Sequence, residues 1–299
     1  MTILLLGANG QVGNELRRSL APLGNVVCTT RSGELPDGEH CEVASFDQPE
    51  ALAELVARIA PAVVVNAAAY TAVDKAEDDE AAAFRANAEA PGVLARACAA
   101  RHIPFVHYST DYVFDGQGSR PYREDDETAP LGVYGASKLA GEDAVRAAGG
   151  NHLILRTAWV YGAHGHNFLR TMLRLGAERD ELRVVADQAG TPTPAYLIAE
   201  VTARLLGHPE GPRGTFHLTA AGEATWHAFA EAIVTQGVDC GLLTKAPRVV
   251  PIATADFPTR AQRPAYSRLG TGKLERALGT SMPHWRAGLE RVLHRMTAA

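Results

Sequence analysis

The chain has 299 residues and a net charge of −5, and 46% of its residues are apolar. This composition is typical of a globular protein with a substantial core, and it excludes disordered, collagen-like and coiled-coil chains. Because acidic residues outnumber basic ones and no basic block occurs, we do not expect nucleic acid as a partner.

The amino-terminal segment and the cysteines bear on the compartment. The segment has no basic leader and only four consecutive apolar residues, so we expect neither a signal peptide nor a membrane span. The cysteines are far apart and form no Cys-x-x-Cys pair, so we expect four buried thiols in the cytoplasm. They are Cys28, Cys41, Cys98 and Cys240.

Short β-rich runs alternate with longer segments of helical periodicity, and this alternation predicts a parallel sheet. The predicted strands are 3–6, 26–29, 62–69, 103–109 and 153–160. Two stretches, 62–65 and 153–155, lack polar residues, as expected for strands covered by helices on both faces. We therefore predict an α/β fold built on a doubly wound parallel sheet, which is Rossmann-like.

Helix signals define the domain organisation. A helix is predicted from residue 47 to about residue 60, because Asp47, Pro49 and Glu50 have the pattern of a capping box. Helices are also predicted over 195–206 and 225–236, separated by Gly/Pro/Arg-rich segments. We predict a dinucleotide-binding domain over 1–160 and a smaller mixed α/β substrate lobe over 161–299. Segments near 182–206 and 214–236 are expected to return to the first domain.

A glycine-rich loop follows the first predicted strand. Gly7, Gly10 and Gly13 have the spacing Gly-x-x-Gly-x-x-Gly, and a helix pattern begins at Gln11 and Val12. In this context glycines permit a tight turn, and the helix N-terminus meets a dinucleotide pyrophosphate. The alternative is a packing turn without a ligand.

The second predicted strand indicates which dinucleotide is bound. It ends in Thr30 and Arg31, where an acidic residue commonly binds the adenosine ribose. A guanidinium can bond a 2′-phosphate bidentately, so we predict NADPH as the cofactor, with NADH possible. The alternative is a solvated loop arginine.

Tyr134 and Lys138 lie four residues apart at the predicted start of a helix, so both project from one face. A lysine cation stabilises a phenolate and lowers the pKa of the phenol, which makes Tyr134 a candidate general acid. The alternative is an exposed cation–aromatic pair.

Polar residues gather at the carboxyl end of the segment 107–114, which is predicted as a strand. There Thr110 is expected to share the substrate oxygen with Tyr134 and to orient the carbonyl. The small residues at 67–69 let a flat cofactor ring pass close to the backbone. Ordinary strand-end capping is the alternative for both features.

Together these motifs resemble an extended short-chain dehydrogenase/reductase. Longer strings are similar to the family of dTDP-4-dehydrorhamnose reductases, namely 66–77, 108–116, 156–162, 167–168 and 187–193. Weaker similarity through 225–227 and 263–269 extends the resemblance over nearly the whole chain. The resemblance implies NADPH-dependent reduction of the C4 ketone of dTDP-4-dehydro-L-rhamnose to dTDP-L-rhamnose, which supplies cell-surface polysaccharides.

The resemblance also implies roles for individual residues. Tyr134 is the proton donor, Lys138 holds the nicotinamide ribose, and Thr110 contacts the sugar. Other substrate contacts are Asp111, Trp159 and Asn167, with Arg263 as a partner of the diphosphate. The cofactor contacts carried over from the resemblance are Gly10, Gln11, Val12, Ser45, Phe46, Ala69, Tyr70, Thr71 and Tyr108. The patterns above add Gly7, Gly13, Arg31, Ala67, Tyr134 and Lys138 as predicted cofactor contacts.

Departures from the family pattern and the alternatives limit this interpretation. No complete metal-ligand set occurs, so we predict no metal. Some relatives join a dimer through magnesium, and Glu15 matches one ligand, but Tyr196 and Arg295 stand where others are needed. We therefore expect a monomer or weak homodimer. A dehydratase needs an Asp-Glu pair, whereas Tyr112 follows Asp111 here. Another sugar-nucleotide reductase or epimerase, and a non-catalytic dinucleotide-binding regulatory subunit, stay open.

Overall fold

The computed structural model describes residues 1–208, 211 and 213–298. The strands are β1 (Thr2–Leu6), β2 (Asn25–Thr30), β3 (Glu42–Val43), β4 (Val63–Asn66), β5 (Phe105–Thr110), β6 (His152–Thr157), β7 (Val160–Tyr161), β8 (Glu181–Val185), β9 (Ala189–Gly190), β10 (Thr193–Pro194), β11 (Gly214–His217), β12 (Ala224–Thr225) and β13 (Arg248–Ile252). Seven of them form one parallel sheet in the order β11-β6-β5-β4-β1-β2-β3. This confirms the predicted doubly wound α/β fold.

Some helices cover both faces of this sheet, and others pack elsewhere in the chain. The helices are α1 (Gln11–Leu20), α2 (Pro49–Ile59), α3 (Val73–Ala76), α4 (Glu80–Phe84), α5 (Ala90–Ala99), α6 (Val133–Ala147), α7 (Phe168–Glu178), α8 (Ala195–Gly207), α9 (Trp226–Asp239), α10 (Gly272–Leu278) and α11 (Trp285–Thr297). Strand β1 shows the two-sided burial: Ile3 and Leu5 belong to the core under α1 and α8, whereas Leu4 and Leu6 belong to the core under α2 and α5.

Several predicted boundaries need correction. Strand β4 ends at Asn66, so residues 67–69 have already left the sheet. The strand predicted over 107–114 stops at Thr110, because the Thr110 hydroxyl accepts the Tyr112 N–H at 3.2 Å and starts a 3-10 turn. The capping box is wrong: α2 begins at Pro49, so the N-cap position falls on Gln48 and not on Asp47, and no side chain caps the helix.

The carboxyl-terminal half contributes to the central sheet and also forms smaller sheets. Helix α8 packs on α1, and β11 extends the central sheet beside β6. Strands β8 and β13 form a separate parallel pair, against which α9 packs together with α7. The division of the chain at residue 160 stays a prediction. In the part of the chain that the structure describes, no helix is long and apolar enough to cross a membrane.

Candidate active site

The glycine loop lies at the switch point of the sheet, where the chain order runs outward from β1 in one direction and from β4 in the other. Gly7 has φ +77°, and a Cβ there would lie 2.6 Å from the Ala68 nitrogen. A Cβ on Gly13 would lie 2.0 Å from the Gly7 carbonyl oxygen. Gly10 precedes α1 without a side-chain cap, so the first N–H groups of α1 are available to an anion. The loop therefore fits a pyrophosphate.

A side chain added to the glycine loop gives a first testable result. We expect Gly13→Ala to lower NADPH affinity by at least about tenfold, because the methyl group pushes α1 away from the loop. The matched control is Gly207→Ala at the end of α8, where a Cβ would make an ordinary 3.6 Å contact with Leu23. Titration of NADPH fluorescence measures both variants. Equal affinities for the two variants would contradict the assignment of this loop.

The residues predicted around the adenosine lie at the carboxyl ends of β2 and β3. Arg31 is exposed and directly follows β2. The turn it belongs to is held by the Thr30 hydroxyl, which accepts the N–H groups of Gly33 and Glu34 at 2.9 and 3.1 Å. Because the Ala44 N–H donates to the Thr30 carbonyl, the segment at 45–46 lies beside this turn. The structure thus brings Arg31, Ser45 and Phe46 to one edge of the sheet.

The segment predicted to face the cofactor ring is fixed by a residue that sequence reasoning missed. The Asn87 amide accepts the Tyr70 N–H at 2.9 Å and donates to the Tyr70 carbonyl at 3.0 Å and to Ser137 at 3.0 Å. Asn87 lies in a π-helical turn between α4 and α5, for which the sequence gives no periodic signal. Ala69 and Thr71 on either side stay exposed.

Helix α6 presents the Tyr–Lys pair, as predicted. Gly135 allows a close approach, because a Cβ there would lie 2.2 Å from the Tyr112 carbonyl oxygen. The Tyr134 ring meets the Tyr112 ring edge-on at 5.6 Å, and its hydroxyl lies near the Thr110 hydroxyl, which opposes the rise of its pKa. Burial raises the pKa of Tyr134 to about 12. The prediction that Lys138 lowers the pKa of Tyr134 is therefore wrong.

The surroundings of Lys138 explain that difference. Its ammonium is buried and donates to the Tyr108 carbonyl at 2.6 Å, and it lies 3.5 Å from Nε2 of His107. Burial lowers the pKa of Lys138 to about 8. The Tyr108 phenol bonds Thr202 of α8 at 2.8 Å, so this residue faces the site through its carbonyl and not through its side chain. Sequence reasoning missed His107.

Thr110 and Asp111 end β5 next to the phenol of Tyr134. Both are buried, and the Thr110 hydroxyl donates to Asp111 Oδ1 at 3.0 Å. Burial raises the pKa of Asp111 to about 6, despite the hydrogen bonds it accepts. Among the described residues, Asp111 Oδ2 has no hydrogen-bond partner.

Trp159 is held in a strained conformation beside an apolar cavity. It has φ +47° and stacks on Trp226 with ring centroids 3.6 Å apart. Trp226, Phe168 and Arg263 line a cavity of about 450 Å³, a volume in the range of small-molecule sites. The Arg263 guanidinium is already paired with Asp74, at 2.8 Å from Oδ2, so a ligand phosphate must share it.

Asn167 does not have a free amide to offer a sugar. Its Oδ1 caps α7 by accepting the Arg170 N–H, and its Nδ2 donates to Gln11 Oε1 at 2.9 Å and to the carbonyls of Gly162 and His164. The predicted substrate residue therefore ties the glycine loop to α7.

Glu15, which matches a magnesium ligand of some relatives, is already paired with two arginine side chains. Glu15 lies 3.1 Å from Arg18 and 3.4 Å from Arg295. Over residues 1–208, 211 and 213–298, no group of three His, Cys, Asp or Glu side chains could hold a metal ion.

The strand order, the glycine loop and the Tyr–Lys pair are those of the extended short-chain dehydrogenase/reductase class. The chain superposes with a TM-score of 0.90 on the dTDP-4-dehydrorhamnose reductase of Clostridium acetobutylicum, with 37% identity over 99% of both chains. The TM-score is 0.88 for the Bacillus anthracis dTDP-4-dehydrorhamnose reductase in complex with NADP, with 33% identity over 98% of this chain and 99% of that one.

Sequence comparison identifies the family. Residues 1–298 match the family described as the RmlD substrate binding domain. The chain is 50% identical to the dTDP-4-dehydrorhamnose reductase of Burkholderia thailandensis over 96% of both proteins. It is 42% identical to that of Escherichia coli K12 over 99% of this chain and 98% of the other. The chain belongs to this family of dTDP-4-dehydrorhamnose reductases and is an oxidoreductase.

Proposed function

We propose that the protein reduces the C4 ketone of dTDP-4-dehydro-L-rhamnose to dTDP-L-rhamnose with NADPH. One observation carries the proposal: the Tyr134 phenol lies next to the Thr110 hydroxyl at the carboxyl end of β5, two strands from the glycine loop that follows β1. The name of the Burkholderia relative and the NADP in the Bacillus anthracis structure support the substrate and the cofactor.

The chain supplies the groups that hold the dinucleotide. When bound, NADPH supplies a hydride to the ketone carbon. The N–H groups of Gln11 and Val12 bind its pyrophosphate at the start of α1, and Arg31 pairs with its 2′-phosphate. Lys138 lies on α6 one turn after Tyr134, where its ammonium can hold the nicotinamide ribose.

Tyr134 supplies the proton that completes the alcohol. Because burial raises its pKa to about 12, the phenol stays protonated at neutral pH and has a proton to donate. Its proton passes to the ketone oxygen as that oxygen gains negative charge. Thr110, whose hydroxyl lies near the phenol of Tyr134, orients the same oxygen.

The substrate fits the space next to these groups. Asp111 Oδ2 accepts a sugar hydroxyl, since it lacks a partner among the described residues. The apolar cavity beside Trp226 and Phe168 takes the nucleoside, and Arg263 at its rim shares its guanidinium between Asp74 and the diphosphate. Trp159 stacks on Trp226, which lines this cavity, and we place the sugar beside Trp159.

The test is NADPH consumption with dTDP-4-dehydro-L-rhamnose, followed by chromatography of the nucleotide sugar. We expect stoichiometric NADPH loss and formation of dTDP-L-rhamnose. Tight NADPH binding without consumption would overturn the proposal and favour the regulatory-subunit alternative.

The cofactor preference gives a second result. Arg31→Gln is expected to raise KM for NADPH about ten- to a hundredfold and to leave KM for NADH unchanged, because a hydrogen bond to a charged group contributes about 1.5–3 kcal/mol. Arg276→Gln, an exposed arginine on α10, is the matched control. Equal effects of Arg31→Gln on both cofactors would contradict the role of this guanidinium.

We also propose a cytoplasmic protein that is a monomer or weak homodimer. The free state of the four cysteines supports a reducing compartment. Only Cys98 is buried as expected, whereas Cys28, Cys41 and Cys240 are half-buried.

A further inference from the structure

A buried chain of side chains runs from the cofactor-facing segment to Lys138. Asn66 ends β4 and is 1% exposed, and His107 on the neighbouring strand β5 is fully buried. Asn66 Nδ2 lies 3.2 Å from Nδ1 of His107, and Nε2 of the same ring lies 3.5 Å from Nζ of Lys138. The reaction proposed above assigns no task to Asn66 or His107.

The hydrogen bonds fix which ring nitrogen of His107 carries the proton. The backbone N–H of Ala68 donates to Asn66 Oδ1 at 3.1 Å, so the amide nitrogen must face the imidazole. Nδ1 of His107 therefore accepts. Burial and the Lys138 cation lower the pKa of His107 well below its ordinary value, so the ring is neutral and its single proton lies on Nε2.

This tautomer presents a donor to Lys138. An ammonium has no lone pair, so it cannot accept the Nε2–H, whereas a neutral amine can. The nearby acceptor is the Tyr108 carbonyl, at 2.6 Å. We infer that Asn66 and His107 are positioning residues that keep a hydrogen-bond donor against Nζ of Lys138, and so favour release of its proton and fix the direction of its remaining N–H bonds.

The other charged and titratable groups around Lys138 do not replace this pair. Glu142, one turn later on α6, raises the pKa of Lys138, but its carboxylate is bonded to Arg156 of β6 at 2.7 and 2.8 Å. Tyr134, one turn earlier, is not among the groups that shift the pKa of Lys138. The Asn66–His107 pair thus faces Lys138 from the sheet, while Glu142 and Tyr134 lie on its own helix.

Asn66→Asp is expected to reverse the donor and acceptor roles of the two ring nitrogens of His107. The carboxylate can still accept the Ala68 N–H, and its second oxygen accepts from His107 Nδ1. The ring proton then moves to Nδ1, and Nε2 becomes an acceptor for the ammonium. We expect the midpoint of Lys138 titration to rise by about one pH unit or more in this variant.

The measurement follows the lysine directly and needs no turnover. The chain contains four lysines, so protein labelled with ¹³C at lysine Cε gives four signals, and Lys138→Arg identifies the one of interest. Titration of the intact protein gives its midpoint in the wild type and in Asn66→Asp. Ring ¹⁵N shifts, assigned with His107→Gln, report the tautomer of His107.

A double-mutant cycle separates the tautomer switch from the added charge. His107→Phe cannot switch, so Asn66→Asp in that background reports charge alone and should shift Lys138 by less than half as much. His107→Gln can rotate its amide and should restore the larger shift. Equal shifts in the wild-type and His107→Phe backgrounds, or a proton on Nδ1 of His107 in the wild type, would overturn the inference.

The pH profile of turnover is the second readout, and it rests on the proposed function. If the ammonium of Lys138 is required, Asn66→Asp moves the alkaline limb of kcat to higher pH together with the NMR midpoint. A protein that never turns over substrate but shows the NMR shift would refute the proposed function and leave the inference standing. A shifted NMR midpoint with an unshifted alkaline limb would overturn the link between Lys138 protonation and turnover.

Discussion

Tyr134→Phe is expected to lower kcat by at least about a hundredfold while leaving NADPH affinity within about twofold, because the hydroxyl supplies the proton and the ring supplies the packing. Its edge contact with Tyr112 at 5.6 Å needs no hydroxyl. Steady-state kinetics and a fluorescence titration of NADPH separate the two quantities.

Another tyrosine provides the control for this variant. Tyr122 is 7% exposed, and its hydroxyl accepts the Gly118 N–H and donates to Asp115 at 2.7 Å. Tyr122→Phe therefore removes a hydrogen-bonded phenol hydroxyl outside the site and should cost about 1 kcal/mol of stability with kcat unchanged. Similar kcat values for Tyr134→Phe and Tyr122→Phe would contradict the assignment of the proton donor.

Glu142→Gln is expected to lower the free energy of unfolding by about 3–5 kcal/mol, because it leaves the buried Arg156 guanidinium without its counter-charge. The two side chains are 0% and 3% exposed and are joined by two hydrogen bonds of 2.7 and 2.8 Å. Urea unfolding at neutral pH measures the loss. Glu178→Gln, which breaks the exposed pair with Arg174, is the control and should change stability by less than about 1 kcal/mol.

The same pair sets a pH dependence of stability. Burial opposes ionisation of Glu142, but hydrogen bonds from Arg156 outweigh it and hold the pKa of the carboxyl below its ordinary value. A lowered pKa in the folded state means that the stabilisation is fully present above the ordinary glutamate pKa and is lost as the pH falls through the folded value. The difference in stability between wild type and Glu142→Gln should therefore shrink in acid. A difference that stays constant down to the acid transition would contradict this account.

The sequence predicted the fold well where burial dictates the pattern. The apolar run of β4 is visible because every residue in it is buried, and α8 is visible because most of its residues are apolar and face the core. The α2 cap failed for the opposite reason. The helix starts one residue later than predicted, with Gln48 at the N-cap position, and the start of a helix depends on the local backbone conformation.

The sequence spacing of the site residues predicted which of them share a helix face. Their pKa shifts and long-range hydrogen bonds were much less predictable. Tyr134 and Lys138 come together because one helical turn separates them, which the sequence states directly. The direction of the Tyr134 pKa was wrong, because Lys138 is drawn to the Tyr108 carbonyl of a strand from another part of the chain. Likewise the Asn167 amide donates a hydrogen bond to Gln11, more than a hundred residues away in the chain, and no local sequence pattern predicts such a contact.

The most direct test of ketone reduction by this site uses NADPH carrying deuterium at C4 of the nicotinamide, on the face that is transferred. With dTDP-4-dehydro-L-rhamnose as substrate, the account predicts one deuterium in the sugar product, located at C4 by NMR, and none when Tyr134→Phe is incubated for the same short time. Deuterium at another carbon, or product formed without any deuterium, would contradict hydride transfer to the C4 ketone.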